Sequence, residues 1–325
     1  MRCIHTHSSS LEGVDPLFRM VSGLRAHGLF SLRLSMAPPW SVDVDDGAPL
    51  TAIAVDRGAA WIDAAGGERI RLDAGAVALI AHGPRYVVAD EPGRPPTVRI
   101  EQGGTCVPLT ESMRSTTHRG LLTWGNHDDG PDQLLVGTYA SASQVGRHLV
   151  GQLPEFTVLP PGEVDEALLG LLRRELEDPR PGHSFVIDRL LDVVVCSAIR
   201  AAARTTGRGW LSGTVDETVA GALDLIHESP EAPWTVASLA AALHVSRATL
   251  AARFREAVGD PPGGYLTRWR LTLAADALTS SDDGLDAVAR RVGYGSAFAL
   301  SAAFKRHHGM SPSQYRRRET TAAVR

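Results

Sequence analysis

Arg247, Arg255, Lys305 and Arg306 stand on two short segments of similar sequence, and side chains of this kind share one chemistry. Guanidinium and ammonium groups neutralise phosphates along a polyanion, and a planar guanidinium can also give two parallel hydrogen bonds to a base edge. Around them lie Ser246, Ala248, Thr249, Ala251 and Ala252 in the first segment, and Ser296, Ala297, Phe298, Ser301 and Ala302 in the second. Small side chains allow close approach, hydroxyls reach polar edges, and apolar groups can touch a thymine methyl.

The two segments are copies. A shift of 50 residues superimposes Ser246 on Ser296, Leu250 on Leu300, Phe254 on Phe304, Gly259 on Gly309, Pro262 on Pro312 and Tyr265 on Tyr315. Self-similarity at a fixed period marks a duplicated structural unit. In the first copy Val236, Leu239, Ala240 and Leu243 make a short amphipathic helix, His244-Val245 a tight turn, and Ser246 the cap of the next helix. In the second, Leu285, Val288, Ala289 and Val292 repeat that helix, Gly293 to Gly295 make the turn, and Ser296 is the cap. Leu250, Phe254 and Val258, like Leu300 and Phe304, face inward, turning Ala248, Ala251, Ala252 and Arg255 outward in the first copy and Phe298, Ser301, Ala302 and Lys305 in the second. Two short helices joined by a tight turn, the second with one bare face, form a helix-turn-helix suited to a major groove. Between the copies Leu266, Trp269, Leu273, Ala274, Ala277 and Leu278 predict a long helix that holds them at fixed spacing. Further phosphate ligands are expected at Arg253, Arg268, Arg270 and Arg316-Arg317-Arg318.

Charge separates along the chain. Residues 1–239 carry 20 Arg against 30 Asp and Glu, a net of −10, whereas 240–325 carry 13 Lys and Arg against 7 acids, a net of +6. Only the C-terminal part is thus suited to a polyanion. No run has the apolar length of a membrane span and the N-terminus lacks a secretory core, so a cytoplasmic protein without membrane contact is expected. Cys3, Cys106 and Cys196 are too far apart for a disulfide framework or zinc finger.

The elements ahead of the repeat predict a different fold. After a leader at 1–13, Leu17, Met20, Val21 and Leu24 suggest a short helix. Phe30, Leu32, Leu34 and Met36 then alternate with polar residues as in a half-buried strand. Strands are expected near 50–56, 59–64, 68–72, 76–81, 86–89, 97–101, 121–124 and 133–139, with 103–120 a loop. Gly66-Gly67 fits a hairpin turn. From 144 the pattern is helical, with one stripe of Val164, Ala167, Leu168, Leu171 and Leu172 and another running from Ile187 to Ile199. These helices would pack on the β domain or pair with a second subunit. The expected fold is therefore α+β and multidomain. An antiparallel barrel spans 14–143, dimerisation helices 144–204, a linker 205–213, an all-α domain with two helix-turn-helix motifs 214–319, and a tail 320–325.

No catalytic set stands out and no cofactor is expected. His82, His118 and His127 lack tight ligand spacing, so no metal site is assigned. Cys106 has no resolving cysteine or basic cluster beside it and reads as an ordinary thiol. Trp40, Trp61 and Tyr86 are candidates to line an apolar cavity for a small organic ligand.

The segments WTVASLAAALHVSRATLAARFREAVGDPPGGYL and VARRVGYGSAFALSAAFKRHHGMSPSQYRR resemble the DNA-binding domain of the AraC/XylS family over about residues 215–318. The stretches DPLFRMVSGLRAHG, LDAGAVALIAHGPR and GWLSGTVDETVAGALDLIHESPEAPWTV resemble the branch of that family with an N-terminal cupin barrel. The resemblance implies a transcription factor, not an enzyme, that binds promoter double-stranded DNA as a homodimer and answers a small-molecule effector. RNA polymerase is a further candidate partner. Where the family commonly carries arginine this chain has Ala252 and Ala302, and where relatives often place a histidine it has Tyr86. Readout would rest on Arg247, Thr249, Ser301 and DNA shape, or one unit would serve mainly as a phosphate clamp. A barrel that only dimerises or docks, and a cupin metalloenzyme tethered to DNA, remain as alternatives.

Overall fold

The computed structural model describes residues 21, 23–24, 29–110, 117–118, 122–139, 143–206 and 216–323. The leader, the expected helix at Leu17 and Met20, nearly all of the linker and the last two residues of the tail lie outside them. The chain divides into two compact units, Val21–Gly207 and the stretch from Arg208 onward. The barrel and helices that the sequence separates at residue 144 thus belong to one unit.

In that unit one sheet runs β10 (Thr117–His118), β11 (Thr123–Gly125), β1 (Leu29–Met36), β12 (Asp132–Tyr139), β3 (Leu50–Arg57), β6 (Val77–Ala81), β13 (Phe156–Leu159). The other runs β5 (Arg69–Asp73), β4 (Ala59–Ala64), β7 (Tyr86–Ala89), β2 (Ser41–Asp45), β8 (Val98–Glu101), β9 (Thr105–Pro108). Met36, Ile53 and Leu134 of the first sheet and Val42, Ile62 and Val88 of the second share one buried core. The expected antiparallel barrel is realised as two sheets, cupin-like but each with its own edges. It is also mixed, because β1 pairs with β11, and β2 with β8, in parallel. Parallel neighbours need a long crossover, and both pairs have one.

Strands β2 and β13 go beyond the expected set, and β9 and β10 lie in the expected loop. In β2 the acid Asp43 masks the strand pattern, yet its side chain is fully buried. Arg85 donates to it through Nε and Nη2 at 2.9 and 2.8 Å, and Arg99 through Nε at 2.7 Å. The Arg85 hydrogen bonds outweigh burial, so with Arg99 they hold the Asp43 carboxyl below the usual aspartate pKa.

The helices are α1 (Gln144–Val150), α2 (Glu166–Glu177) and α3 (His183–Thr206). Gly137 on β12 lets α3 lie against the sheet, since a β-carbon there would overlap the Leu191 side chain. Tyr139 Oη donates to Asp192 at 3.3 Å, and Arg173 of α2 reaches Asp56 at 3.1 Å. With helices on one face and the core on the other, β1 shows no simple alternation: Ser31 to Leu34 are all half-buried. The stripe of α2 is also rotated from expectation. Leu169, Leu172 and Leu176 are buried, while Leu171 is 41% exposed.

The second unit holds α4 (Glu217–Glu228), α5 (Val236–Ala242), α6 (Arg247–Val258), α7 (Pro262–Ser280), α8 (Leu285–Arg291), α9 (Ala297–His308) and α10 (Pro312–Ala323). Asp216 caps α4 through its carboxylate, and Thr235 and Ser238 form a reciprocal capping box at α5. Helix α7, with 19 residues, is about 28 Å long at the usual rise. Tyr265 and Trp269, in its first half, pack on His227 of α4, and Leu271 to Leu278 join the core of the second copy.

Candidate nucleic-acid interface

The duplication is structural as well as sequential. Ser246 Oγ accepts from the Thr249 backbone N–H at 3.0 Å, and Ser296 Oγ from that of Ala299 at 3.2 Å, so each serine opens its helix. Gly259 and Gly309 close α6 and α9 in the left-handed region, at φ 87° and 73°. Phe254 meets Tyr265 edge to face at 5.6 Å, and their counterparts Phe304 and Tyr315 do the same at 5.3 Å. Burial pushes the Tyr265 hydroxyl pKa up, and this neutral group lies 2.7 Å from His227 Nε2.

The turns differ in length. After α5 the left-handed residue is His244, and Val245 N–H returns to the Ala240 carbonyl at 3.0 Å. After α8 it is Gly293, and Tyr294 N–H returns to Ala289 at 2.8 Å. Counterparts in the turn are thus 49 residues apart and those in α6 and α9 are 50 apart, because the second turn carries one more residue, Gly295.

The copies are also tied together. Arg270 of α7 donates from Nε to the Pro230 carbonyl and from Nη2 to the Ala232 carbonyl, both at 2.6 Å. The same guanidinium abuts Gly293, where a β-carbon would lie 2.8 Å from Arg270 Nη2 and from Glu231 Cα. Arg316 makes the corresponding clamp in the second copy, from Nε to Leu278 at 2.8 Å and from Nη2 to Asp283 at 2.7 Å. The structure therefore corrects the expectation that Arg270 and Arg316 serve phosphates, because Arg270 holds the loop leading into α5 and Arg316 ties the last turn of α7 to the loop leading into α8. Arg268 is paired with Asp260, Arg253 bonds Thr218, and Arg318 pairs with Glu319.

On the outward faces of α6 and α9, Arg247, Arg255, Lys305 and Arg306 are exposed and hold no ion-pair partner among the described residues. Ala248, Ala252, Phe298 and Ala302 are exposed, and Ala251, Ala297, Thr249 and Ser301 half-buried. Arg255 and Lys305 are equivalent, each accepting the N–H of its closing glycine at 2.9 Å through its own carbonyl. Ser246 and Ser296 are exposed but already engaged as caps, and Thr249 Oγ1 lies 2.8 Å from Ser246 Oγ.

The other candidates are not gathered in this way. Trp40 and Tyr86 are buried in the core between the sheets, and Trp40 Nε1 donates to Asp132 at 2.8 Å. Burial pushes the Tyr86 hydroxyl pKa up. Trp61 lies outside that core, half-buried beneath the Arg71 guanidinium at 5.9 Å. Among the described residues no three His, Cys, Asp or Glu groups come together as metal ligands. His82 and His127 are exposed, and the His118 side chain lies outside the described set. Cys106 sits on exposed β9, yet desolvation of its sulfur raises the thiol pKa. No described helix is long and apolar enough to cross a membrane.

Two helix-turn-helix units braced on one long helix, following a two-sheet β domain in the chain, define the class of molecule. A cupin family model matches residues 15–204, and a helix-turn-helix domain model matches 239–318. An AraC-like transcription regulator of Streptomyces antibioticus is 34% identical over 312 residues, 94% of this chain and 99% of its own. One from Streptomyces lividans is 32% identical over 315 residues, 94% of this chain and 99% of its own. The DNA-binding domain of AdpA, solved with a target DNA, is 34% identical over 32% of this chain and 93% of its own, with a TM-score of 0.31. The chain belongs to the AraC family of DNA-binding transcription regulators, with an N-terminal cupin domain.

Proposed function

We propose that the protein is a homodimeric regulator in the cytoplasm that sets α6 and α9 into successive major-groove segments of promoter DNA. The observation that carries this is the sorting of cations. Arg253, Arg268, Arg270, Arg316 and Arg318 are engaged within the protein, whereas Arg247, Arg255, Lys305 and Arg306 stand on the outward faces without an ion-pair partner among the described residues. Those four contact phosphates or base edges, joined by Ala248, Ala251, Ala252, Phe298, Ser301 and Ala302. Ser246, Ala297, Ser296 and Thr249 sit at the helix N-termini, where backbone N–H groups also favour phosphate.

Dimerisation falls to the uncovered side of α3. Phe185 and Val193 are 69% and 46% exposed, two helical turns apart, with Arg189 stacked on Phe185 at 5.3 Å. A second copy would bury these apolar groups. RNA polymerase is the partner expected once the protein is seated at a promoter.

The cupin domain passes an effector signal to the DNA-binding domain in this reading. A second reading is favoured by the packing of Trp40 and Tyr86 inside the core, which suits a domain that dimerises or docks without a ligand between its sheets. Selection of duplexes from a random pool by the full chain, followed by salt titration of the complex, tests the DNA reading. Enrichment of one sequence with salt-sensitive affinity supports it, and no enrichment refutes it. Thermal unfolding with and without a small-molecule library separates the two readings of the cupin domain.

A further inference from the structure

Phe298 is 84% exposed, the most exposed of the large apolar side chains in the described structure. It stands in the first turn of α9, at the position that Ala248 holds in α6. On the same face follow Ser301, Ala302 and Lys305, at i+3, i+4 and i+7. Between Ala297 and Ala302 the only side-chain hydrogen-bonding group on this face is the Ser301 hydroxyl, so a bidentate contact to guanine or adenine has no donor there. What this stretch offers a major groove is a phenyl ring, and the apolar feature that a groove presents to a ring is the C5 methyl of thymine. Lys305 and Arg306 at the other end of the helix, without an ion-pair partner among the described residues, make a nucleic acid the occupant that matches this face in charge.

We infer that Phe298 is a specificity-determining residue that reads a thymine methyl in the groove segment entered by α9, while α6, with Arg247 in its first turn, reads by hydrogen bonding. The inference rests on the DNA-binding reading above and divides the labour between the two copies: one helix selects by donor geometry, its sibling by burial of a methyl group. An aromatic ring left bare among the described residues gains a covered face when the duplex is bound.

The test starts from the duplex that the full chain selects from a random pool. Each thymine is replaced in turn by deoxyuridine, which keeps the pairing edge and removes only the methyl. The wild-type chain should bind about three- to fivefold more weakly at one or two adjacent positions, the loss expected for one buried methyl. Phe298→Ala should lose a similar factor on the unmodified duplex and be indifferent to deoxyuridine there, whereas Phe298→Leu should retain part of the discrimination. Because Phe298 is exposed, these variants should keep the circular dichroism and melting temperature of the parent. Equal sensitivity of wild type and Phe298→Ala to deoxyuridine, or indifference of both, would overturn the inference and leave the DNA reading standing. A change in oligomeric state with unchanged thymine preference would assign the ring to a protein contact and overturn it as well. Failure to select any duplex would remove the DNA reading and this inference together.

Discussion

Arg270 and Gly293 touch across the two copies of the helix-turn-helix: the guanidinium that closes the loop before α5 fills the space where a side chain at Gly293 would begin. The second turn therefore needs glycine for two reasons, a φ of 79° and the lack of room. Gly293→Ala should cost about 1–3 kcal/mol of stability, read by denaturant unfolding. Arg270→Ala should leave the Pro230 and Ala232 carbonyls without their donor and loosen the spacing of α6 and α9. A selected duplex with one base pair inserted between its two contact segments should then be tolerated better by the variant than by the parent. An unchanged penalty would mean that Arg270 does not set the spacing.

The sorting of cations predicts a graded salt response. Arg255→Ala and Lys305→Ala should each lower the slope of log affinity against log salt by about 0.9, the value for one phosphate contact. Arg268→Ala, which removes a partner of Asp260, should change the slope little. Equal slopes for all three variants would contradict the assignment.

Much of the DNA-binding unit was legible in the sequence because its signals are local. Caps at Ser246 and Ser296 and apolar residues at helical spacing each have a short-range cause, whereas Gly259 and Gly309, matched in the repeat, show their helix-closing role only in the structure. The roles of Arg270 and Arg316 were not legible, since a carbonyl 33 to 40 residues away leaves no trace in the pattern around an arginine. The additional residue Gly295 was visible but acquires meaning only once the turns are compared. In the β unit Asp43 hid β2, because a buried acid reads as a break until its two arginines, brought by β8 and the segment before β7, are placed beside it. The even alternation of β1 misled for the converse reason, since two layers cover it.

Asp43 links stability to acid. Its carboxyl is held below the aspartate value by Arg85 first and by Arg99, against the cost of burial. The folded state therefore binds its proton less readily than the unfolded chain. This stabilisation is complete above the unfolded pKa of about 3.9 and is lost as pH falls through the lower folded value. Asp43→Asn should be less stable at neutral pH by about 2 kcal/mol, because the two arginines are part-exposed and water takes over some of the contact. The gap should close below about pH 4 in urea unfolding. A gap that does not change with pH would show that the charge of Asp43 is not what matters.

Gly137 predicts how the helical layer is held. Gly137→Ala should push Leu191 off the sheet and cost about 1–3 kcal/mol, seen as an earlier unfolding transition of the full chain. Leu191→Ala in the same chain should make room for the new methyl and recover part of the loss relative to the sum of the single changes. Strict additivity would mean that the two do not meet.

The direct test of the central claim is chemical interference on the selected duplex bound by the full chain, with base methylation and permanganate oxidation mapped at single-base resolution. Two clusters of major-groove contacts should appear within each half-site, on one face and about 10 base pairs apart. Arg247→Ala should erase one cluster and Phe298→Ala weaken the other. A single cluster, or two that ignore both substitutions, would contradict the account of two braced recognition helices on one duplex.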